Sequence, residues 1–468
     1  MEIINQQTRK THQRLSKTSA RFLEFIQQNP AALKRSNYND LEDCAVDCPN
    51  IQAWPTFINR TVFNRLQQAS TGLFHLFREI PGRIFANNPQ KISSYFGFPE
   101  EYTLLQLESI KDGHLENLVG RGDFIFSAAG PKCIEFNTSA GIGGWQLTLL
   151  ESTYLNNPII AKFLNEYQVK THNKNLVVTL LQHLFTVAKK KFPGPYHREI
   201  NIAFVTPQNK KIRDIQLIEE HFNRAYQQVL NKQNRHGNGT VIFCDFPGLT
   251  VENDCVFHKG KQIHTIVESY HGQVPKEIFY VSLLGNVIVY NGPITSLLSN
   301  KLNHVLLSEN QDSEVFTPEE REIIKAYTPW TRRIVSGKVT FGRETFQMED
   351  FLRFHRQELI IKPVREMGGQ GVYIGNYTPP HQWEKAIERA FQDENRNWIV
   401  QEYVETFPYL YQCSDNGYAE HEVVWGLFVF GREYAGGFLR VIPKSKTYNG
   451  VINTSRGAQE TVIFVVDE

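Results

Sequence analysis

LIIKPVREMGGQGVYIG, residues 359–375, is the stretch on which the reading of this chain turns. Leu359, Ile360 and Ile361 form a short apolar run of the kind found in buried strands. Lys362 continues that strand, and Pro363 ends its regular pairing. Gly368, Gly369 and Gly371 then make a loop whose backbone can approach a ligand closely and turn N–H groups toward an anion. Val372, Tyr373 and Ile374 return as a second strand. A strand lysine beside a flexible glycine loop suits the phosphates of a nucleotide, with the lysine supplying charge and the loop supplying donors and a lid. The same residues also make a plain hairpin with a glycine turn and a surface lysine, and the segment alone does not separate the two. No GxxxxGK[ST] sequence occurs in the chain, and no GxGxxG opens a helix.

Residues 120–145, GRGDFIFSAAGPKCIEFNTSAGIGGW, carry the next signal. Stretches 124–126 and 132–136 read as antiparallel strands turning at Gly130-Pro131. Glu135 and Asn137 are two apart and share a face, and Asp123 can meet them across the hairpin. Two carboxylates and an amide oxygen are hard ligands that suit Mg²⁺ bound with nucleotide phosphates. Arg121 shares the face of Asp123 and can reach the same anion. The alternative is a polar strand face satisfied by water or arginine.

After the glycine loop, 380–393 reads as a helix and 397–404, NWIVQEYV, as a buried strand. Gln401, Glu402 and Tyr403 at its exit suit the edge and face of an adenine. A hairpin of 422–430 and 434–441 turns at Gly431-Arg432 and brings out Arg440, and 451–457 ends on Arg456. Either arginine suits an anion, because arginine keeps its proton. Before the loop, Asn291-Gly292-Pro293 precedes a helix bearing Leu298, Leu302, Val305 and Leu306. Lys301 lies off that apolar stripe.

The rest reads as scaffold. Residues 1–105 are predicted mostly helical, with apolar spacing over 18–27 and over 61–80 (Val62, Leu66, Leu73, Leu76, Phe77, Ile80) and a stop at Pro81-Gly82. Residues 172–292 are predicted to form a small α/β domain: helix 173–191, strand 199–206, helix 212–231 and strand 240–246, then a hairpin of 251–257 and 262–268 and a strand at 286–290. With 468 residues the chain can hold two or three lobes. A net charge of +1 offers no bulk attraction to nucleic acid or membrane. No apolar run approaches the ~20 residues of a membrane span, and the polar start has no signal-peptide core. Six cysteines without a CxxC fit a reducing cytoplasm. Cys44 and Cys48 have no second pair at zinc spacing nearby.

Taken together, these motifs resemble the ATP-grasp superfamily in its circularly permuted branch, and glutathionylspermidine synthetase-like ligases in particular. Arg121-Gly-Asp123 is followed twelve positions later by Glu135-Phe-Asn137. A Ser299-Asn300-Lys301 helix, the Lys362 strand with its glycine loop, and a Gln401-Glu402-Tyr403 hinge follow in order. The carboxylates precede the glycine loop, as in the permuted branch. The resemblance implies an ATP-grasp fold with metal-bearing strands at 106–171 and nucleotide-binding lobes at 293–468. It implies ATP and Mg²⁺, with Asp123, Glu135 and Asn137 as metal ligands. Lys301, Lys362 and the Gly368–Gly371 loop fall on phosphates, and Gln401, Glu402, Tyr403 and Val404 around adenine. Arg121 falls on the transferring γ-phosphate, and Arg440 and Arg456, read above as anion partners, stand beside it as the further catalytic candidates.

The implied reaction is an ADP-forming carboxylate–amine ligation through an acyl phosphate. Its partners are a small-molecule or peptide acid and an amine, with no nucleic acid and no membrane, and a homodimer is the assembly to test. The chain departs from the glutathionylspermidine pattern at Arg365-Glu366-Met367-Gly368-Gly369. It departs again at Thr138-Ser139-Ala140-Gly141, where Thr138 and Ser139 are expected to touch the acid. The expectation is therefore a free-standing ligase of a different acid and amine. A phosphotransferase and a nucleotide-binding module without turnover are the alternatives.

Overall fold

The computed structural model describes residues 6–29, 51–138, 143–144, 147–193, 199–206, 212–232, 239–268, 274–366, 368–414, 417–446 and 449–468. Ser139, Ala140 and Gly141, Met367, and the Cys44 and Cys48 pair lie outside the described residues.

The architecture is mixed α/β. Its largest sheet has eight strands, in the order Thr56–Asn59, Gln459–Val466, Glu433–Pro443, Gly417–Phe430, Val119–Ser127, Gly130–Asn137. Tyr409–Ser414 joins the Gly417–Phe430 strand, and Thr171–His172 joins Gln459–Val466. The hairpin read at 124–136 is present, with Asp123 directly opposite Glu135 and Arg121 opposite Asn137. The 417–443 hairpin lies beside it, so that Asp123 faces Gly426 and Arg440 faces Val424 and Glu460. Cross-strand partners share a face. This pairing therefore gathers polar residues from both ends of the chain onto one surface. Glycine at 426 is required there, since a Cβ would lie 2.5 Å from the Phe438 ring.

The long helix Arg60–Arg83 packs on this sheet. Asn59 caps it through Val62 N, and Leu73, Phe74 and Phe77 are buried along its inner side. Each such side chain is worth about 2 kcal/mol of transfer. The helix runs through Pro81-Gly82, the predicted stop. Pro81 sits in the last turn, where it removes a single donor, and Ile84 N still bonds Ile80 O. The N-terminal region also supplies an unforeseen edge strand, Thr56–Asn59, parallel to Gln459–Val466.

A second sheet, all parallel, runs Ile288–Tyr290, Thr265–Glu268, Ile202–Val205, Val241–Cys244. The stretch 262–268, read as one hairpin arm, divides at His264. Lys261–Ile263 pairs with Cys255–His258, while Thr265–Glu268 enters the parallel sheet. Asn201 accounts for the crossing. Its carbonyl accepts from His264 N, its N–H meets His264 Nδ1, and its side chain donates to Gln262 O.

The glycine-loop strand sits in a four-stranded antiparallel sheet ordered Thr331–Arg333, Trp398–Glu402, Leu359–Pro363, Tyr373–Ile374. Leu359 and Ile361 point into a core with Phe351, Trp383 and Ile387, and Ile360 and Lys362 point the other way, into a cavity. Gly375 closes this hairpin. A Cβ there would come 1.6 Å from the Arg356 carbonyl oxygen, which is backbone and cannot swing aside. Gly375→Ala is expected to lose about 2–3 kcal/mol of stability by denaturant unfolding. An unchanged midpoint would refute that close approach.

Candidate active site

A cavity of about 660 Å³ opens where the large sheet meets the glycine-loop sheet. Arg121, Asp123, Glu135, Asn137, Lys301, Lys362, Gly368, Gly369, Tyr403, Val404 and Arg440 all line it. Residues chosen from five separate stretches of sequence thus converge on one space.

Asp123 is the hub. It is 5% exposed. Its Oδ1 accepts from Arg121 Nε at 2.9 Å, and its Oδ2 meets Arg440 Nη2 at 2.8 Å and Arg121 Nη2 at 3.2 Å. Burial works against the charge, but Arg121 and then Arg440 outweigh it and hold the carboxyl below its usual range. Both guanidinium groups also lie over the Phe438 ring, at 5.6 and 5.8 Å from its centre. Asn137 turns an amide N–H toward Asp123 Oδ2 at 3.4 Å, which leaves its amide oxygen as an acceptor.

The two lysines sit on the facing wall. Lys301 Nζ is 3.0 Å from Glu135 Oε1 and donates to Glu366 O at 2.7 Å. Lys301 breaks what the sequence suggested was a single helix. The structure has Thr295–Leu298 and Leu302–Glu309 instead, with Lys301 at the N-cap of the second. Lys362 Nζ donates to Ile134 O at 2.9 Å and to Gln401 Oε1 at 2.8 Å. Burial pushes its pKa down to about 8, Glu135 raises it and Lys301 lowers it again. His304 lies behind this pair against Phe77, and its ring nitrogens have no hydrogen-bond partner among the described residues.

The hinge residues divide. Tyr403 and Val404 line the cavity. Gln401 is buried between Lys362 and Thr331, and Glu402 accepts from Trp330 N at 3.2 Å. Thr138 does not line the cavity. Its hydroxyl and N–H are spent on Ser299 Oγ at 2.8 and 2.9 Å, a clasp that fixes the end of the Gly130–Asn137 strand. Arg456 reaches across to the glycine loop and donates to Gly369 O at 3.0 Å.

No protein-family model matches the sequence, and no curated protein is similar enough to be matched. Solved structures do match. A glutathione synthetase-like effector from Globodera pallida, in its apo form, aligns over 94% of this chain and 97% of its own, with a TM-score of 0.56 and 10% identity. The chain shares the fold of that structure. A putative gamma-glutamylcysteine synthetase from Methylobacillus flagellatus aligns over 77% of this chain and 87% of its own, with a TM-score of 0.39 and 12% identity. D-alanyl-alanine synthetase A from Vibrio cholerae aligns over 49% and 67%, at 0.26 and 16%.

Within this fold, sequence reasoning missed three cavity carboxylates. Glu422 and Glu460 are buried on the large sheet, and Glu366 is exposed on the glycine loop. Tyr377 donates its hydroxyl to Glu422, and Thr454 donates to Glu460 at 2.8 Å. Glu422 and Glu460 lack a local motif, and Glu366 sits in the glycine-loop stretch itself. Only strand register puts Glu460 opposite Arg440. Among the described residues no three or more His, Cys, Asp or Glu side chains converge into a metal cage, and no helix is long and apolar enough to cross a membrane.

Proposed function

We propose that this chain is an ATP-dependent carboxylate–amine ligase of the circularly permuted ATP-grasp type, releasing ADP and phosphate. The observation that carries the reading is the cavity itself. One wall offers two buried lysines and a glycine loop, and the other offers Glu135, Asn137 and the Arg121–Asp123–Arg440 group. Mg²⁺ in nucleotide sites keeps one or two carboxylates and takes its remaining ligands from phosphates and water. Glu135 and Asn137 with Glu366 suit that demand. Asp123 has both oxygens on guanidinium groups, and its role in the proposal is to position Arg121 and Arg440.

When bound, Mg²⁺ would neutralise phosphate charge. Lys301 and Lys362 hold phosphates, and Tyr403 and Val404 take the adenine. Arg121 and Arg440 stabilise the negative charge that develops as a substrate carboxylate attacks the terminal phosphorus. The glycine loop, linked to Arg456, keeps water from the acyl phosphate until the amine arrives.

The test is ADP and phosphate release from Mg-ATP by the purified protein, screened against amino acids, short peptides and polyamines. Release that requires both an acid and an amine supports the ligase. Release with one partner alone makes it a phosphotransferase. Bound ATP with no turnover across the panel leaves the nucleotide-binding module.

Lys362 also sets a pH dependence. Its pKa lies near 8, so it binds phosphate best below that value. Apparent ATP affinity is expected to fall as pH rises through 8, by up to about tenfold per unit. Equilibrium titrations at pH 7 and 9 check this, and equal affinities would remove Lys362 from the phosphate site.

A further inference from the structure

We propose that Arg365 is a positioning residue for the nucleotide site. It seats the base of the glycine loop on the C-terminal end of the Pro89–Phe96 helix and does not itself bind phosphate. The inference rests on the nucleotide reading above.

Arg365 lies three residues before Gly368, where a loop arginine is expected to meet phosphate. Arg365 lines the cavity beside Phe98, but its guanidinium is engaged by the end of the helix. Nη2 donates to Phe96 O at 2.6 Å and Gly97 O at 2.8 Å, and the group lies 4.8 Å from the centre of the Phe98 ring. The last carbonyls of a helix have no partner within it and carry the negative end of its dipole, so they suit a fixed cation. Gly97 makes this possible by taking a left-handed conformation, φ +67°, at the helix end.

A second arginine of the same lobe repeats the contact. Arg333 donates to Tyr95 O at 2.8 Å, with its guanidinium 4.9 Å from the Tyr95 ring centre. Two arginines thus grip three successive carbonyls, 95 to 97.

The residues flanking Arg365 are also tied down. Val364 O accepts from Lys301 N at 3.3 Å, and Glu366 O accepts from Lys301 Nζ at 2.7 Å. Beyond this base, Gly368, Gly369 and Gly371 all have positive φ, and nothing lies within 4 Å of where a Gly368 Cβ would stand. The loop therefore starts from a fixed root. This gives the N-terminal helical region a part in nucleotide binding, although Phe98 is its only described residue at the cavity.

The test measures Mg-ATP affinity of the full chain by equilibrium titration. Arg365→Ala and Gly97→Val are each expected to weaken binding about tenfold. Val at φ +67° is strained and crowds the guanidinium, since even a Cβ at Gly97 comes 3.3 Å from Arg365 Nη2. Arg365→Lys is expected to weaken binding to a similar degree, because an ammonium cannot fork two carbonyls and stack on a ring. The double variant is expected to be no weaker than either single one, because both remove the same contact.

Full affinity in Arg365→Lys and Gly97→Val, with loss only in Arg365→Ala, makes Arg365 a phosphate ligand and overturns the proposal. A parent chain that does not bind Mg-ATP removes the nucleotide reading. The anchor is then judged by amide hydrogen exchange of residues 368–374 in the nucleotide-free chain. Exchange is expected to quicken in Gly97→Val and in Arg365→Lys, and unchanged exchange overturns the anchor.

Discussion

Asp123→Asn is expected to cost about 3–5 kcal/mol of stability and to abolish turnover. The substitution removes one buried negative charge and leaves two guanidinium groups, Arg121 and Arg440, facing each other without it. Their side chains are 14% and 9% exposed, so water compensates only part of the lost carboxylate. Arg440 Nε already lacks a hydrogen-bond partner among the described residues. Glu135→Gln behaves differently. Its side chain is 30% exposed, and the Lys301 it pairs with keeps the Glu366 carbonyl. A stability loss of about 1–2 kcal/mol is expected there, with turnover down by roughly a thousandfold. Denaturant unfolding and phosphate release on both variants separate the two roles. An Asp123→Asn chain as stable as the parent would show that the arginines do not depend on this carboxylate.

Acid unfolding is the second large effect. Burial pushes the pKa of His12 and of His304 down to about 3, with Lys362 and Lys301 adding to it at His304. Burial likewise takes His421 down to about 4. His12 shows the reason. Its Nε2 must stay unprotonated to accept from Leu410 N at 3.0 Å. A histidine held neutral in the fold contributes its full stability above the unfolded value of about 6.5 and loses it as pH falls toward the folded value.

Glu151 works the other way. Burial raises it to about 7, so the fold gains from its protonation between about 7 and 4.5. The three histidines outweigh it, and the net loss by pH 4 is about 6 kcal/mol, which is the scale of a whole domain's stability. Thermal midpoints are expected to drop steeply below pH 6, and less so in a His304→Leu variant. A midpoint that stays flat from pH 7 to 4.5 would mean these rings are not held neutral.

What was legible in the sequence was local. A short apolar run gave the Leu359–Pro363 strand with Lys362 on it, and two strands around a Gly130-Pro131 turn gave the hairpin that carries Asp123, Glu135 and Asn137. Glycines at positions of positive φ gave the loop. Each of these depends on bonds between residues a few positions apart. The N-terminal edge strand Thr56–Asn59 was not legible, because its partner is Gln459–Val466, some four hundred residues away.

The same limit applies to the site. Sequence by itself determined which side chains carry charge and which face of its own hairpin each occupies. Only tertiary structure decided what each charge meets. Pairing of Val119–Ser127 and Glu433–Pro443 with opposite edges of Gly417–Phe430 put Arg440 on Asp123, so that the carboxylate read from the sequence as a metal ligand meets two arginines. Packing of the Pro89–Phe96 helix gave Arg365 the Phe96 and Gly97 carbonyls as partners. The reason is physical. Backbone geometry follows from neighbours along the chain, but a buried charge takes whichever partner the long-range register delivers, and no local pattern records that register.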